Sequence, residues 1–301
     1  MANRFDQMRA FAGVVEAGGF TSATGRTGMS RAVVSRNILD LEDRLGVRLL
    51  NRTTRQVSLT EAGRVFYEKC RRILDELAEA EQLAADTGTG PQGDLRVVAP
   101  VNFGLGELGP GITEFLLDYE NMRVTLSLND RPVDPIEAGY DVAIRVSQHE
   151  IRPPQNLDIC HIATSTRILC ASPEYLETHG EPKQPSDISG HTCLCYAYVD
   201  EPEVWHFTRG RRRFSIPVQA RVTTSASSVL ATGAARGLGI AYGPAAFFRN
   251  DLDNGKVRRL LQNYDLPRVS IYSLYARSKR PSPKVEAFNA FLRDNLYRQL
   301  N

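Results

Sequence analysis

Between Arg26 and Arg55 the sequence holds seven arginines (26, 31, 36, 44, 48, 52 and 55) against three acids, Asp40, Glu42 and Asp43, so this stretch carries +4. Guanidinium groups neutralise phosphate oxygens, and hydroxyls set among them donate hydrogen bonds to the same oxygens. Two clusters separate by spacing. Ser30, Arg31, Ala32, Val33, Ser35 and Arg36 stand at the start of a helical pattern. There Arg36 and Arg31 can reach guanine edges, Ser35 either base, and Ala32 or Val33 a thymine methyl. Arg52, Thr53, Thr54 and Arg55 form a basic, hydroxyl-rich tip between two short apolar runs, suited to contacts that fix register without reading sequence. A solvated basic hairpin in an enzyme is the bland alternative for the arginines alone, and the turn and tip together disfavour it.

Three helices and a hairpin must position these groups. Met8, Phe11, Ala12 and Val15 recur at helical spacing, so residues 5–17 are expected to form an amphipathic helix stopped by Gly18-Gly19. A short helix begins at Thr21, whose hydroxyl is counted with the phosphate-binding set, and Gly28 supplies the turn. Ser30 caps the next helix, on which Val34, Ile38, Leu41 and Leu45 form one stripe and Ala32, Ser35 and Arg36 lie off it. Helix, tight turn and helix, followed by a wing, is a layout that places the second helix in a major groove.

From Glu61 to Asp86 a long helix is expected, with Phe66, Cys70, Ile73, Leu77, Ala80 and Ala84 stepping by 4, 3, 4, 3 and 4. Such a heptad seam buries itself best against another helix, here a second copy of the chain, with packing on its own domain as the alternative. Residues 87–93, TGTGPQG, then break the helix. Beyond them LRVVAP, VTLSLND, DVAIRV, RILCAS, GIAYG and SIYSLYAR alternate with helical stretches, which points to an α/β domain with a mostly parallel sheet.

At 301 residues the chain is long enough for about two domains. Its net charge of +2 argues against nucleic acid only until it is resolved along the chain, where the basic segment stands beside a nearly neutral remainder. No run approaches the roughly 18 apolar residues of a membrane span, and the N-terminus lacks a signal-peptide pattern, so a cytoplasmic protein without membrane contact is expected. His191, Cys193 and Cys195 form H-x-C-x-C with no fourth ligand nearby, so a structural role is preferred and no metal or cofactor is expected. Gly104, Gly106 and Gly109 spell G-x-G-x-x-G with Asp130 further on, the outline of a nicotinamide site. Residues 100–103 separate the glycines from their strand, however, and Pro110-Gly111 falls where the phosphate-binding helix should run. The five histidines show no ligand or triad spacing, and no catalytic constellation is visible.

The run VVEAGGFTSATGRTGMSRAVVSRNILDLEDRLGVRLLNRTTRQVSLTEAG resembles the DNA-binding head of LysR-type transcriptional regulators. LNDRPVDPIEAGYDVAIRV, ASPEYLETHG, DISGHTCLCYAYV and ARGLGIAYGP resemble that family's effector-binding region, so the similarity spans essentially the whole chain. Thr24-Gly25 and Thr27 depart from the small or aliphatic residues usual in the first helix of the motif, at a cost of about 1 kcal/mol for the glycine.

The resemblance implies a winged helix-turn-helix over residues 1–60, a linker and dimerisation helix over 61–88, and a hinge at 89–93. An effector-binding domain would follow over 94–301, α/β in class, with two Rossmann-like lobes of periplasmic-binding-protein type. The first lobe would take about 94–163 plus 268–301 and the second about 164–267. By the same implication the chain is a non-enzymatic regulator. It would bind an interrupted palindrome on double-stranded DNA as a homodimer or homotetramer, with RNA polymerase as a further partner and a small effector between the lobes. The effector residues expected from family placement and chemistry begin with Pro100, Val101, Asn102 and Phe103. Arg145 and Val146 follow, then Tyr196, Trp205 and His206 as a second-lobe wall, then Thr224, Ser225 and Ser227. Arg145 suggests an organic or aromatic carboxylate. Their bland alternatives are an interlobe salt bridge for Arg145, a cap for Ser225 and core for Trp205. A redox-sensing variant of the same reading would use Cys193 and Cys195.

Overall fold

The computed structural model describes residues 3–52, 57–85, 90–278 and 282–300. The chain divides into two compact units, Met1–Thr89 and Gly90–Asn301. Among the described residues no helix is long and apolar enough to cross a membrane.

The first unit contains α1 (Arg4–Ala17), α2 (Ala23–Thr27), α3 (Arg31–Leu45), the hairpin of β1 (Leu50–Arg52) and β2 (Val57–Leu59), and α4 (Glu61–Ala85). Ala10, Phe11 and Val14 of α1 pack with Val34, Ile38 and Leu41 of α3, while Met8 and Val15, expected at the centre, lie at the edge of this core. Gly28, at φ +69°, ends α2 in the left-handed region, which a residue with a Cβ enters only under strain. Ser30 then starts α3 by accepting the N–H of Val33 at 3.4 Å. Glu42, near the end of α3, turns its carboxylate into the protein and accepts the N–H groups of Leu49 and Leu50 at 2.8 and 3.1 Å. This fixes the first strand of the hairpin to α3.

The seam on α4 divides. Phe66 and Cys70, expected between two copies, sit instead in the core of this unit: the Phe66 ring lies 5.8 Å from that of Phe11, and Cys70 is fully buried. The first turns of α4 cover α1, so these two positions are already spent. Ile73 is exposed, Leu77 half-buried and Ala80 exposed, and the side chain of Ala84 lies outside the described residues. Glu16 of α1 locks the packing by accepting the Tyr67 hydroxyl at 3.2 Å and pairing with Arg71 of α4, and it reaches Arg26 of α2 at 3.7 Å.

The second unit holds two five-stranded sheets. One is ordered β4 (Met122–Leu128), β3 (Gly93–Ala99), β5 (Val142–Ser147), β14 (Val269–Ala276) and β6 (Leu157–Ser165). The other is ordered β11 (Gln219–Thr224), β8 (Thr192–Tyr196), β12 (Ile240–Pro244), β7 (Arg167–Ala171) and β13 (Arg258–Leu260), beside a ribbon of β9 (Val204–Arg209) and β10 (Arg212–Pro217). Both sheets are mixed, not mostly parallel. β3 runs parallel to β4 and β5, but β14 is antiparallel to β5 and β6. The reason is connectivity: β6 carries the chain out of the first lobe and β14 brings it back. Each lobe has its own apolar core, one around Phe115 and Phe288, the other around Trp205 and Phe207.

Candidate functional site

On the first unit, Thr21, Ser30, Arg31, Ala32, Val33 and Arg36 are exposed and Ser35 is half-buried. The residues expected to face a groove therefore share the open side of α3, because the opposite stripe, Val34, Ile38 and Leu41, is consumed by the core. Val33 is 47% exposed and suited to an apolar contact with a base methyl. Ser30 already spends its oxygen on the cap, which leaves its hydroxyl hydrogen to donate. Thr53, Thr54, Arg55 and the side chain of Arg52 lie outside the described residues.

On the second unit, a cavity of about 490 Å³ lies between the lobes. It collects the carboxyl ends of strands: Pro100, Asn102 and Phe103 after β3, Asp130 after β4, and Val146 to His149 at the end of β5 from the first lobe. The second lobe adds Arg167 of β7, Tyr196 to Asp200 after β8, and Pro244 and Phe247 after β12. Loops at the carboxyl ends of strands form the crevice where open α/β sheets take ligands. Ser165, Val269 and Ile271, from the crossover strands β6 and β14, also line it, as does Glu107.

Asn102 ties the two walls together. Its Nδ2 donates to the Tyr196 hydroxyl at 3.0 Å and to the Ser225 carbonyl at 2.6 Å, and its Oδ1 accepts from the N–H and hydroxyl of Ser227. Ser225 and Ser227 thus meet Asn102 and are absent from the cavity lining, and Thr224 accepts the Ala226 N–H at 3.0 Å as a local turn. At the mouth, His149 Nε2 lies 3.0 Å from Asp200 Oδ2.

The cation in the cavity is Arg167, not Arg145. Successive residues of a strand point to opposite faces. Val146 lines both the large cavity and an adjoining hollow of about 100 Å³, while Arg145 lines the hollow, with Asn129 and Arg131, and not the large cavity. Arg167 is 6% exposed. Its Nη1 donates to Gln148 Oε1 at 2.9 Å and to the Tyr242 hydroxyl at 3.3 Å, and its guanidinium lies 5.5 Å from the centre of the Tyr242 ring. Its Nε is buried without a hydrogen-bond partner among the described residues. Trp205, expected in the wall, is core at 1% exposure and supports Tyr242 from behind at 5.2 Å between rings. His206, its neighbour on β9, points outward to Ser215. Val101 is likewise not in the lining, and its N–H donates to Asp130 Oδ1 at 2.9 Å.

The glycine run that resembled a dinucleotide loop is a continuous helical segment, Val101–Phe103, Gly104–Leu108 and Gly109–Asp118, whose middle turn is a π-helix. That wide turn places Glu107 in the cavity wall, where burial pushes its carboxyl up to about 7 while the Arg249 guanidinium pulls it down in part. Cys193 and Cys195 are fully buried on β8, and burial raises their thiols to about 12 and about 11. Thiols so protonated make poor redox sensors. Among the described residues no cluster of His, Cys, Asp and Glu could hold a metal ion.

Comparison with known proteins agrees with this architecture. Residues 5–64 match the bacterial regulatory helix-turn-helix protein, lysR family, and residues 88–296 match the LysR substrate binding domain. The chain belongs to the LysR family of transcriptional regulators. It is 33% identical over 284 residues to the HTH-type transcriptional activator AaeR of Escherichia coli K12, covering 94% of this chain and 91% of that one. An HTH-type transcriptional regulator of Xanthomonas campestris is 32% identical over 286 residues, 94% of this chain and 82% of that one. Among solved structures, CrgA, a LysR-type regulator of Neisseria meningitidis, superposes with a TM-score of 0.61 at 30% identity, covering 96% and 98% of the two chains. The full-length Vibrio cholerae virulence activator AphB gives 0.58 at 30% identity, covering 95% and 97%. As a LysR-type regulator the chain couples a DNA-binding head to an effector-binding domain.

Arg167 and Glu107 escaped sequence reasoning. The signal for Arg167 was a charged residue opening the strand RILCA, whose five residues are all buried. For Glu107 it was an acid inside the glycine run that had been read for its glycines.

Proposed function

We propose that this regulator binds an interrupted palindromic operator in the cytoplasm as a homodimer, or as a homotetramer built from two such dimers, and that a small organic carboxylate in the interlobe cavity controls it. Arg31, Ala32, Val33, Ser35 and Arg36 read bases, and the wing from Arg52 to Arg55 holds phosphates. Ile73, Leu77, Ala80 and Ala84 of α4 supply the contact between copies. Transcriptional output runs through RNA polymerase.

One observation carries the effector reading: Arg167 lines the cavity with a guanidinium whose hydrogen-bond partners, Gln148 and Tyr242, are neutral, and among the described residues no carboxylate pairs with it. A bound carboxylate would supply that counter-charge through a charge-assisted hydrogen bond. The effector must favour one arrangement of the lobes, since equal affinity for both would shift nothing. Thermal unfolding against a panel of carboxylates tests this. At least one acid should stabilise the wild type and fail to stabilise Arg167→Gln; a panel without effect on the wild type sinks the reading. For the DNA side, Arg36→Glu should abolish promoter binding, and unchanged affinity would contradict it.

A further inference from the structure

The cavity carries more negative than positive charge. Among the described residues Arg167 is the one arginine or lysine in its lining, whereas Glu107, Asp130 and Asp200 are all part of it. Asp200 faces His149 at the exposed mouth and can be set aside. Asp130 is held in place by the Val101 N–H. Glu107 is 7% exposed, and the Arg249 guanidinium that acts on it is not part of the lining. A second carboxylate on the ligand would therefore meet like charge. The rest of the lining mixes polar groups such as Asn102, Gln148 and Tyr196 with an apolar and aromatic part, chiefly Phe103, Val146, Phe247, Val269 and Ile271.

We infer that the effector is a zwitterion of the amino-acid type, whose carboxylate meets Arg167, whose ammonium group meets Glu107 and Asp130, and whose apolar side chain lies against the phenylalanines. This rests on the carboxylate reading above and adds the ammonium. A cavity of about 490 Å³ lies in the range of small-ligand sites and accommodates such a molecule. An ammonium group beside Glu107 also restores the favourable partner that its burial removes, as Arg249 does only in part. Plain carboxylates recover the bond to Arg167 but leave the acids uncompensated.

The test is calorimetric titration of the full-length wild type with L-phenylalanine and L-leucine, each beside its deaminated analogue, 3-phenylpropanoate or 4-methylpentanoate. At least one amino acid should bind about tenfold or more tighter than its analogue, the contribution of one charged hydrogen bond. In Glu107→Gln that preference should shrink while affinity for the analogue holds or improves. Asp130→Asn gives a second reading of the same preference. An analogue that binds as tightly as its amino acid, or a preference unchanged in both variants, overturns the zwitterion and leaves the carboxylate reading standing. If none of the four probes binds the wild type, the zwitterion is overturned, and the carboxylate panel separately decides whether Arg167 takes any acid.

Discussion

The Oδ1 of Asn102 accepts both the N–H of Ser227 at 3.0 Å and its hydroxyl at 2.9 Å, so one side-chain atom from the first lobe stands at the start of a second-lobe helix, Ser227–Ala235. The sequence had offered Asn102 and Ser227 as two separate ligand contacts. In the structure each is the other's partner, and a ligand must compete with or build upon that bond.

Replacing Asn102 by alanine removes four hydrogen bonds between the walls and leaves partners such as the Ser227 N–H unpaired. The expected loss is about 2 kcal/mol, because half-buried partners recover some of their bonds from water. Calorimetric unfolding should show a lower midpoint for the effector-binding unit. An unshifted midpoint would mean that the bond does not hold the walls.

Glu107 predicts a pH dependence. Its carboxyl moves from an ordinary 4.5 to about 7 in the folded protein. Below pH 4.5 it is neutral in both states and costs nothing. Between those values the unfolded chain ionises while the folded protein resists, so stability falls as pH rises; above 7 the whole cost, about 3 kcal/mol, persists. Glu107→Gln should therefore raise the unfolding midpoint at about pH 8 clearly more than at about pH 5. Equal shifts at both would contradict the placement of this acid.

In the head, Glu42→Ala strips the acceptor from the N–H groups of Leu49 and Leu50. Because these open the wing strand, operator affinity should drop about tenfold, and the salt dependence of binding should flatten as wing phosphate contacts are lost. Fluorescence anisotropy across a salt series measures both. Weaker binding with an unaltered slope would show that Glu42 supports folding without positioning the wing.

Gly63 offers a steric test. A Cβ at this position would collide with the carbonyl oxygen of Leu49, which is backbone and cannot swing away. Gly63→Ala should cost the head about 1–3 kcal/mol by forcing α4 off the wing. Chemical denaturation followed by circular dichroism would detect it, and wild-type stability would show that the start of α4 has room to move.

The head was legible because its determinants are local. Helical spacing, the Ser30 cap and the left-handed Gly28 lie within a few residues of what they control, and the stripe Val34, Ile38 and Leu41 went into the core as read. Phe66 and Cys70 show the limit of the same reasoning: a heptad pattern says that a face is buried, not against what. The cavity was less legible because it depends on strand facing and on pairs far apart in sequence. Choosing Arg145 required knowing which way β5 presents alternate residues, and finding Arg167 required knowing that β7 begins at the cavity. Asn102 and Ser227 are 125 residues apart, beyond the reach of any periodicity.

The crossover strands have a mechanical meaning. Ser165 of β6 stands opposite Val269 of β14, both line the cavity, and Arg167 follows after a single intervening residue. The floor of the cavity is thus built from the backbone segments that join the two lobes. A molecule seated there would touch both lobes and the strands between them at once.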